Sequence, residues 1–419
     1  MEAPQPAPAQ PEWAKVLPAY QAALRGVLSD YLDGCRRFLS FLGLPTNLRS
    51  GVRASLGVLE KAARALSHAE PPGADLLIHL ADRARGLLDA GNIGEWEVAQ
   101  VITGGYRAAV VLFESWSDGG FREAEFVGPE PINPSDYRGE DAPYLAPVLA
   151  LHGFAERVLR PDLAALYLHG SLATQDYARD YSDLDTLMIL KRATLVEPDR
   201  LVAFARRYRR SLAFIYQFDP LQHHGHILLT EIDLCCYPNT FFPLSILQYA
   251  RALGGGWTPL TVRYRDDRAE MTAEFGRVCD AFVQRAVQGY LPNDPFALKN
   301  FLSELMLLPA LYCQCLGSPC YKKFSFDRAR ADFAAADWKV MDEATAVRSN
   351  WHYGRKTGGW AALAGRWLGF PELLKARGQN PASDVIAKVA GLLSPDYVQA
   401  AARLAVAMQR RITAASDGK

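Results

Sequence analysis

The chain has 419 residues, of which 49% are apolar and 22% are charged. This length is more than one hydrophobic core usually organises, so we expect two or three domains of an ordinary globular protein. Lysine plus arginine and aspartate plus glutamate each number 46, so the formal net charge is zero. A zero net charge argues against the basic excess that is typical of proteins that bind long nucleic acids.

The first part of the chain predicts a short arm followed by helices. Residues 1–16 are rich in proline and alanine and lack the basic and apolar segments of a signal peptide, which predicts a flexible arm. Apolar residues then recur every three or four positions, which predicts helices at 18–42, 48–68, 74–89 and 94–115. A loop rich in glycine and proline, 117–143, ends this N-terminal helical region, which we assign to 17–143.

The middle of the chain alternates predicted strands with predicted helices, a pattern that is typical of an α/β unit. We expect helices at 144–159 and 197–212. Short apolar runs predict strands at 163–169, 184–190, 213–218 and 226–230. These elements make 144–253 one predicted domain.

A run of three glycines at 254–256 separates this domain from a C-terminal helical region, 254–419. Helices are predicted there at 264–290, 295–316, 325–346, 356–368, 383–392 and 395–415. No run of about eighteen apolar residues occurs, so we expect no membrane span. The seven cysteines lack the spacings of a disulfide framework, which predicts reduced thiols and a cytoplasmic location.

One stretch of the middle domain combines two features of a metal–nucleotide site. A predicted strand ends at Gly170-Ser171, where glycine lets a ligand approach the backbone and the N–H groups of a following helix favour phosphate. Asp183 and Asp185 flank Leu184 at the start of the next strand, so that both carboxylates lie on one face and repel each other unless a cation binds. Each feature alone is commonly a turn or a cap, but together they predict a magnesium–nucleotide site.

Residues 166–190 resemble the signature of the DNA polymerase beta-like nucleotidyltransferase superfamily. That signature is an apolar strand, Gly-Ser, about ten further residues, then Asp-Leu-Asp and a second apolar strand. The resemblance implies an α+β fold in which 144–253 form a nucleotidyltransferase core with a small mixed sheet. The N- and C-terminal helical regions would flank this core.

The resemblance also implies which residues act. Asp183, Asp185 and one further carboxylate would bind two Mg²⁺ ions, and Gly170 and Ser171 would bind the phosphates of a nucleoside triphosphate (NTP). The reaction that it implies moves a nucleotidyl group from the NTP to an acceptor and releases pyrophosphate, with the metal ions stabilising the attacking and leaving oxygens.

Two residues are candidates for the third carboxylate. Asp219 follows the predicted strand 213–218, although its position before Pro220 is also typical of a turn. Asp233 follows another apolar run, but Thr230 three residues earlier gives this segment the pattern of a helix start with an acidic first turn. We therefore favour Asp219 as the third catalytic residue and metal ligand.

Further candidates lie outside the signature. His223 and His224 belong to a histidine-rich run, which is compatible with a general base near the acceptor and equally with the lining of a turn. Lys299 and Lys322 resemble in placement the lysines with which superfamily members bind the nucleotide from a neighbouring helical domain. Lysine is a common phosphate ligand, although exposed lysines are usually only solvated.

The sequence does not identify the acceptor of the nucleotidyl group. The neutral net charge favours a small molecule or a protein side chain as the acceptor, and no long nucleic acid is expected. One alternative is an oligonucleotide or second-messenger synthase with the same core. Another is a non-catalytic nucleotide-binding module of the antitoxin kind, which has no need for two mutually repelling carboxylates.

Overall fold

The computed structural model describes residues 11–34, 50–116, 121–126, 131–137, 139–219, 221–222, 224–253, 260–265, 267–292, 295–351 and 394–417. These residues form helices and two small sheets, so the predicted α+β class is confirmed. The predicted break at 254–256, the predicted helices at 356–368 and 383–392, and His223 lie outside the described residues.

Helices occupy the N-terminal part of the described chain, as the apolar periodicity predicts. They are α1 (Glu12–Gly34), α2 (Ser50–His68), α3 (Ala74–Asp89) and α4 (Glu95–Ser115). Helix α1 begins within the arm predicted at 1–16, because Trp13 and Ala14 already belong to its buried apolar face. Among the described residues, the helix predicted at 18–42 ends at Gly34.

A mixed sheet follows, with the strand order β4-β3-β2-β5. Its strands are β2 (Leu163–Leu168), β3 (Thr186–Leu190), β4 (Ile227–Thr230) and β5 (Arg251–Ala252). Strand β2 pairs antiparallel with β3 and β5, whereas β3 pairs in parallel with β4. The end of β2 and the starts of β3 and β4 therefore lie along one edge of the sheet.

The remaining elements of this region are the helices that connect the strands and a second, two-stranded sheet. The helices are α5 (Ala142–Phe154), which continues in a π-helical turn (Ala155–Leu159), α6 (Gly170–Ala173), α7 (Arg192–Leu195), α8 (Pro198–Phe218), α9 (Glu231–Cys235) and α10 (Leu244–Leu247). Strand β1 (Arg122–Phe126) pairs antiparallel with β6 (Leu260–Tyr264). The sequence did not predict this second sheet, because β1 lies within the stretch of glycine and proline that we assigned to a loop.

The strand predicted at 213–218 is wrong. These residues are the last turns of α8, which continues the helix predicted at 197–212. Leu212, Ile215 and Phe218 are all buried, and an apolar run of this length has no periodicity that separates a strand from a buried helix. Asp219 consequently caps the end of a helix, and its backbone N–H donates to the carbonyl of Ile215 at 2.9 Å.

Asp233 lies at a helix start, as its sequence pattern indicates. Its side chain and that of Thr230 form a capping box at the beginning of α9. The other carboxylate oxygen accepts hydrogen bonds from Arg25 at 2.8 Å and Gln21 at 3.0 Å, both on α1. Both oxygens of Asp233 therefore hold α1 and α9 in place, which is a structural role.

Helices make up the C-terminal part of the described chain. They are α11 (Arg268–Val287), α12 (Pro295–Leu305), α13 (Leu308–Cys315), α14 (Lys322–Arg330), α15 (Ala335–Ser349) and α16 (Pro395–Asp417). The helix predicted at 295–316 is divided because Pro309 starts a new helix at α13. The stretch Phe296–Cys315 has the length and hydropathy of a membrane-crossing helix, and 56% of its most apolar window is buried inside the protein.

Two clusters of buried side chains organise the described residues. The first joins the N-terminal helices to the sheet and α8, and the second lies among the C-terminal helices. Tyr181 and Leu221, which lie in the segments before β3 and β4, belong to the second cluster. The C-terminal helices therefore pack against the sheet edge at which β2 ends and β3 and β4 begin.

Candidate functional site

Gly170 and Asp185 meet at this edge of the sheet. Leu168 pairs with Thr186, and the backbone N–H of His169 donates to the carbonyl of Asp185 at 3.0 Å. Gly170 has a φ of 71°, and a Cβ added to it would lie 2.9 Å from the Cγ of Asp185. Only glycine is compatible with both the backbone conformation and the position of the carboxylate.

Ser171 follows within a very short helix. Its hydroxyl forms a 3.0 Å hydrogen bond with the hydroxyl of Ser182, which in turn accepts from the backbone N–H of Ala178. Helix α6 has only four residues, so it offers little of the helix dipole that we expected to favour phosphate. Gly170 and Ser171 nevertheless both line the cavity that contains the acidic residues.

Asp183, Asp185 and His224 form a group that could hold a metal ion. One ligand atom from each residue lies within 4.8 Å of the other two. Asp183 and Asp185 directly precede β3, and His224 lies three residues before β4. Since β3 and β4 are parallel neighbours, the same strand pairing that forms the sheet also brings this imidazole to the two carboxylates.

The hydrogen bonds of His224 orient its ring as in a metal-binding histidine. Nδ1 lies 2.8 Å from the carbonyl of Gly225, and because a carbonyl only accepts, Nδ1 carries the proton. Nε2 lies 3.3 Å from Oδ1 of Asp185. Metal-binding histidines commonly donate one ring N–H to a carbonyl in this way, which directs the other nitrogen at the ion.

The charges of this group influence one another. Burial alone would lower the pKa of His224, but its hydrogen bond to Asp185 and the charges of Asp185 and Asp183 raise that pKa to about 9. Burial alone would raise the pKa of Asp185, but the hydrogen bond from His224 and the charges of His169 and His224 bring it below the usual value. In the protein without metal, the imidazole therefore provides the positive charge that the carboxylates require.

Lys299 connects Asp183 to Asp219. Its Nζ lies 2.5 Å from Oδ1 of Asp183 and also donates to Oδ2 of Asp219. The lysine side chain is 0% exposed, and those of Asp183 and Asp219 are 13% and 4% exposed. The carboxylates raise the pKa of Lys299 above its usual value despite its burial. Burial raises the pKa of Asp219 to about 7, against the opposing effect of Lys299.

Two predicted site residues thus differ in placement from the sequence-based expectation. Asp219 reaches Asp183 through the Lys299 ammonium, whereas the potential metal-binding group contains His224 together with Asp183 and Asp185. Lys299, expected to contact the nucleotide, contacts these carboxylates instead. The order of elements would have indicated His224, because residues just before two adjacent parallel strands meet at one edge.

The histidine-rich run before β4 has more than one role. His226 is buried; its Nδ1 lies 2.6 Å from the Thr186 hydroxyl, and its Nε2 lies 2.9 Å from the Ser211 hydroxyl. Burial lowers its pKa to about 3, so the ring is neutral at ordinary pH. His226 therefore joins β3, β4 and α8, and His224 is the described member of the run that reaches the acidic group.

Gln222 fixes the backbone between the two aspartates. Its side-chain oxygen accepts from the backbone N–H of Leu184 at 2.9 Å, and its side-chain amide donates to the Leu184 carbonyl at 3.1 Å. Gln222 is fully buried. Gln222 therefore positions both carboxylates of the Asp-Leu-Asp motif through the backbone of Leu184.

Replacing Gln222 by leucine is expected to weaken divalent-metal binding about 10- to 100-fold, the usual effect of losing a residue that positions metal ligands. Two buried backbone groups of Leu184 would lose their partners, at a cost of about 1–3 kcal/mol each. Titration of Mn²⁺ by calorimetry measures the affinity. Gln314→Leu is the control, because Gln314 is buried and donates to the carbonyl of Asn239. Equal metal affinities in the two variants would contradict this role for Gln222.

A cavity of about 380 Å³ lies between the sheet edge and the C-terminal helices. Asp183, Asp185, Gly170 and Ser171 line it on the side of the sheet. The helices contribute Tyr321, Lys322, Phe326, Trp338, Thr345 and Arg348. Acidic side chains, cationic side chains and aromatic rings thus surround one volume of the size that small-molecule sites have.

Lys322 lines this cavity as a cation without a counterion. Its side-chain ammonium forms no hydrogen bond or ion pair with any residue that the structure describes, although the residue is partly buried. Burial and the neighbouring Arg348 lower its pKa to about 8. By contrast, Arg330 at the same cavity is paired with Asp342 at 3.0 Å. An anionic ligand would relieve the repulsion between Lys322 and Arg348.

No model of a known protein family, no curated protein and no solved structure matches this chain. A functional assignment therefore depends on the geometry and chemistry of the cavity.

Proposed function

We propose that this protein is a metal-dependent nucleotidyltransferase of the DNA polymerase beta-like type, which moves a nucleotidyl group from an NTP to an acceptor. One observation carries the proposal: the two carboxylates of a potential metal-binding group line the same cavity as the ammonium of Lys322, which has no ion-pair partner among the described residues. A metal–triphosphate complex brings a divalent cation to carboxylates that His224 and Lys299 otherwise neutralise, and it brings anionic oxygens to the ammonium of Lys322. The nucleotidyltransferase core proposed for 144–253 supplies the acidic side of this cavity.

The donor set suits a divalent cation. Asp183 and Asp185 offer carboxylate oxygens, which Mg²⁺ and Mn²⁺ prefer, and His224 offers a ring nitrogen, which suits transition metals. We therefore expect Mn²⁺ to bind more tightly than Mg²⁺, because a ring nitrogen is a better ligand for a transition metal than for Mg²⁺. When bound, such an ion supplies Lewis-acid polarisation of the phosphate under attack.

The side chains of the cavity have distinct parts in the proposed reaction. An acceptor hydroxyl loses its proton to solvent as its oxygen forms a bond to the α-phosphorus; the bond from that phosphorus to the oxygen bridging to the β-phosphate breaks, and pyrophosphate leaves. Lys322 and Arg348 would bind the charge of the β- and γ-phosphates and of the leaving pyrophosphate. Phe326 provides apolar surface at the cavity that excludes water and suits the flat face of a nucleobase, and the buried Trp338 packs against it.

Pyrophosphate release from each of the four NTPs tests the proposed activity. The protein would be incubated with each labelled NTP and Mg²⁺ or Mn²⁺, with and without a cell extract that supplies acceptors. We expect release that depends on the metal and on the extract, with a labelled small molecule or protein as product. A labelled oligonucleotide or cyclic nucleotide would indicate the synthase alternative. Tight NTP binding without turnover would indicate a non-catalytic module, and the absence of both binding and turnover would contradict the proposal.

Replacing Lys322 by glutamine is expected to raise the Kd of a non-hydrolysable NTP analogue about 10- to 100-fold. A hydrogen bond to a charged group contributes roughly 1.5–3 kcal/mol, and about 1.4 kcal/mol corresponds to a tenfold change in Kd. Calorimetric titration in the presence of Mn²⁺ measures this. Lys339→Gln is the matched control, because Lys339 is exposed and, among the described residues, pairs with Glu343 on its own helix. An unchanged Kd for Lys322→Gln would mean that the phosphates bind elsewhere.

A further inference from the structure

Lys299 occupies the space between two carboxylates that the superfamily resemblance would assign to a metal ion. Its ammonium contacts one oxygen of Asp183 and one of Asp219. The other oxygen of Asp219 accepts from the backbone N–H of Leu221 at 3.0 Å. Both oxygens of Asp219 are therefore already bound to hydrogen-bond donors.

The surroundings of Lys299 hold its ammonium in this position. The ammonium lies 5.5 Å from the centre of the Tyr181 ring. Leu298, Phe301 and Leu302 on the same helix are buried in the cluster of C-terminal helices. Moving the Lys299 ammonium from the carboxylates into this apolar core would leave its charge unpaired, which is unfavourable.

The two carboxylates of the Asp-Leu-Asp motif therefore differ in their partners. Asp185 is 23% exposed, lines the cavity and lies next to His224. Asp183 accepts from Lys299 through Oδ1 and also belongs to the group with Asp185 and His224. A second divalent cation between Asp183 and Asp219 would lie next to a buried ammonium, and the two positive charges would repel each other.

We propose that the site takes one divalent cation, at Asp183, Asp185 and His224, and that the ammonium of Lys299 permanently replaces the second cation between Asp183 and Asp219. This inference rests on the proposed nucleotidyl transfer, in which two cations are expected by resemblance. Lys299 is then a positioning residue: it fixes Asp183 and supplies a constant positive charge where other members would recruit an ion.

The number of bound Mn²⁺ ions tests this inference without any measurement of activity. The full-length protein would be titrated with Mn²⁺ alone, and then with Mn²⁺ and a non-hydrolysable NTP analogue. Electron paramagnetic resonance counts the ions and detects magnetic coupling between close pairs. We expect one bound ion per chain and the spectrum of an isolated ion in both titrations. Two coupled ions per chain would overturn the inference and leave the proposed function standing, whereas the absence of any bound ion would overturn both.

Two variants make the measurement specific to Lys299 and Asp219. Lys299→Gln removes the positive charge, so a second Mn²⁺ is expected to bind and to give a coupled spectrum. Asp219→Asn removes a carboxylate that we place outside the metal group, so the count is expected to remain at one. A count that falls in Asp219→Asn would mean that Asp219 binds the ion, which would contradict the inference. If Lys299→Gln does not fold, the ion counts of the unmodified protein and of Asp219→Asn still decide the question.

Discussion

Replacing Asp185 by asparagine is expected to lower the rate of nucleotidyl transfer by about a thousandfold or more. A catalytic metal ion contributes several kcal/mol of transition-state stabilisation, and about 1.4 kcal/mol corresponds to a tenfold change in rate. Asp185 is the better residue to replace, because it lines the cavity and contacts His224. Asp183 in addition forms an ion pair with Lys299, so its replacement would also disturb the structure. Rates with each NTP, together with Mn²⁺ titration, measure the loss.

The control for this variant is Asp342→Asn. Asp342 also lines the cavity, but it is half-exposed and pairs with Arg330. The rate should fall by less than about fivefold, since an exposed ion pair contributes at most about 1 kcal/mol. If the Asp185→Asn protein retained the rate of the unmodified protein, the metal-dependent mechanism would be wrong.

Gly170→Ala is expected to have the second largest effect, a loss of about 100-fold or more in transfer rate with a similar weakening of Mn²⁺ binding. The added Cβ would displace the carboxylate of Asp185, and a misplacement of about 1 Å at a reacting centre can cost about 100-fold. The backbone strain of alanine at positive φ is a separate and smaller effect, about 1–2 kcal/mol.

Gly289→Ala isolates that strain. Gly289 has a φ of 65°, close to that of Gly170, and no described atom lies within 4 Å of a Cβ added to it. Urea unfolding should therefore show a similar loss of stability from backbone strain in both variants, with metal binding impaired only in Gly170→Ala. Unimpaired Mn²⁺ binding in a folded Gly170→Ala protein would show that Asp185 is not the ligand that the geometry indicates.

The parts of the fold with strong periodicity could be predicted from the sequence. The strand Leu163–Leu168 and the strand Thr186–Leu190 are confirmed, as are the helices of the N-terminal region within the described residues. The apolar run at 213–218 predicts a strand although it is helical, because short buried runs have the same apolar pattern in either conformation. Strand β1 is not predicted, because it pairs with the distant strand β6 and its own residues do not show an apolar pattern that is typical of a strand.

The candidate site could be predicted only in part, for a related reason. Gly170 and Asp185 lie at the two ends of one local strand–loop–strand unit, so their meeting follows from the sequence pattern. The meeting of Asp183 with Lys299 depends on how the C-terminal helices pack on the sheet edge, which sequence spacing does not encode. The burial of Lys299 is likewise not predictable from the sequence, since lysine side chains are mostly exposed and both partners of Lys299 are distant in the chain.

The packing of Tyr181 and Leu221 against the C-terminal helices has a further consequence, for dynamics. The cavity lies between the sheet edge and the C-terminal helices, so it exists only while these helices remain packed on that edge. A local opening at this boundary would separate Lys322 from the carboxylates and would leave both clusters folded. Loss of function would then precede loss of helical signal as urea is added, and the amide hydrogens around residues 181 and 221 would exchange with solvent before those of the central strands.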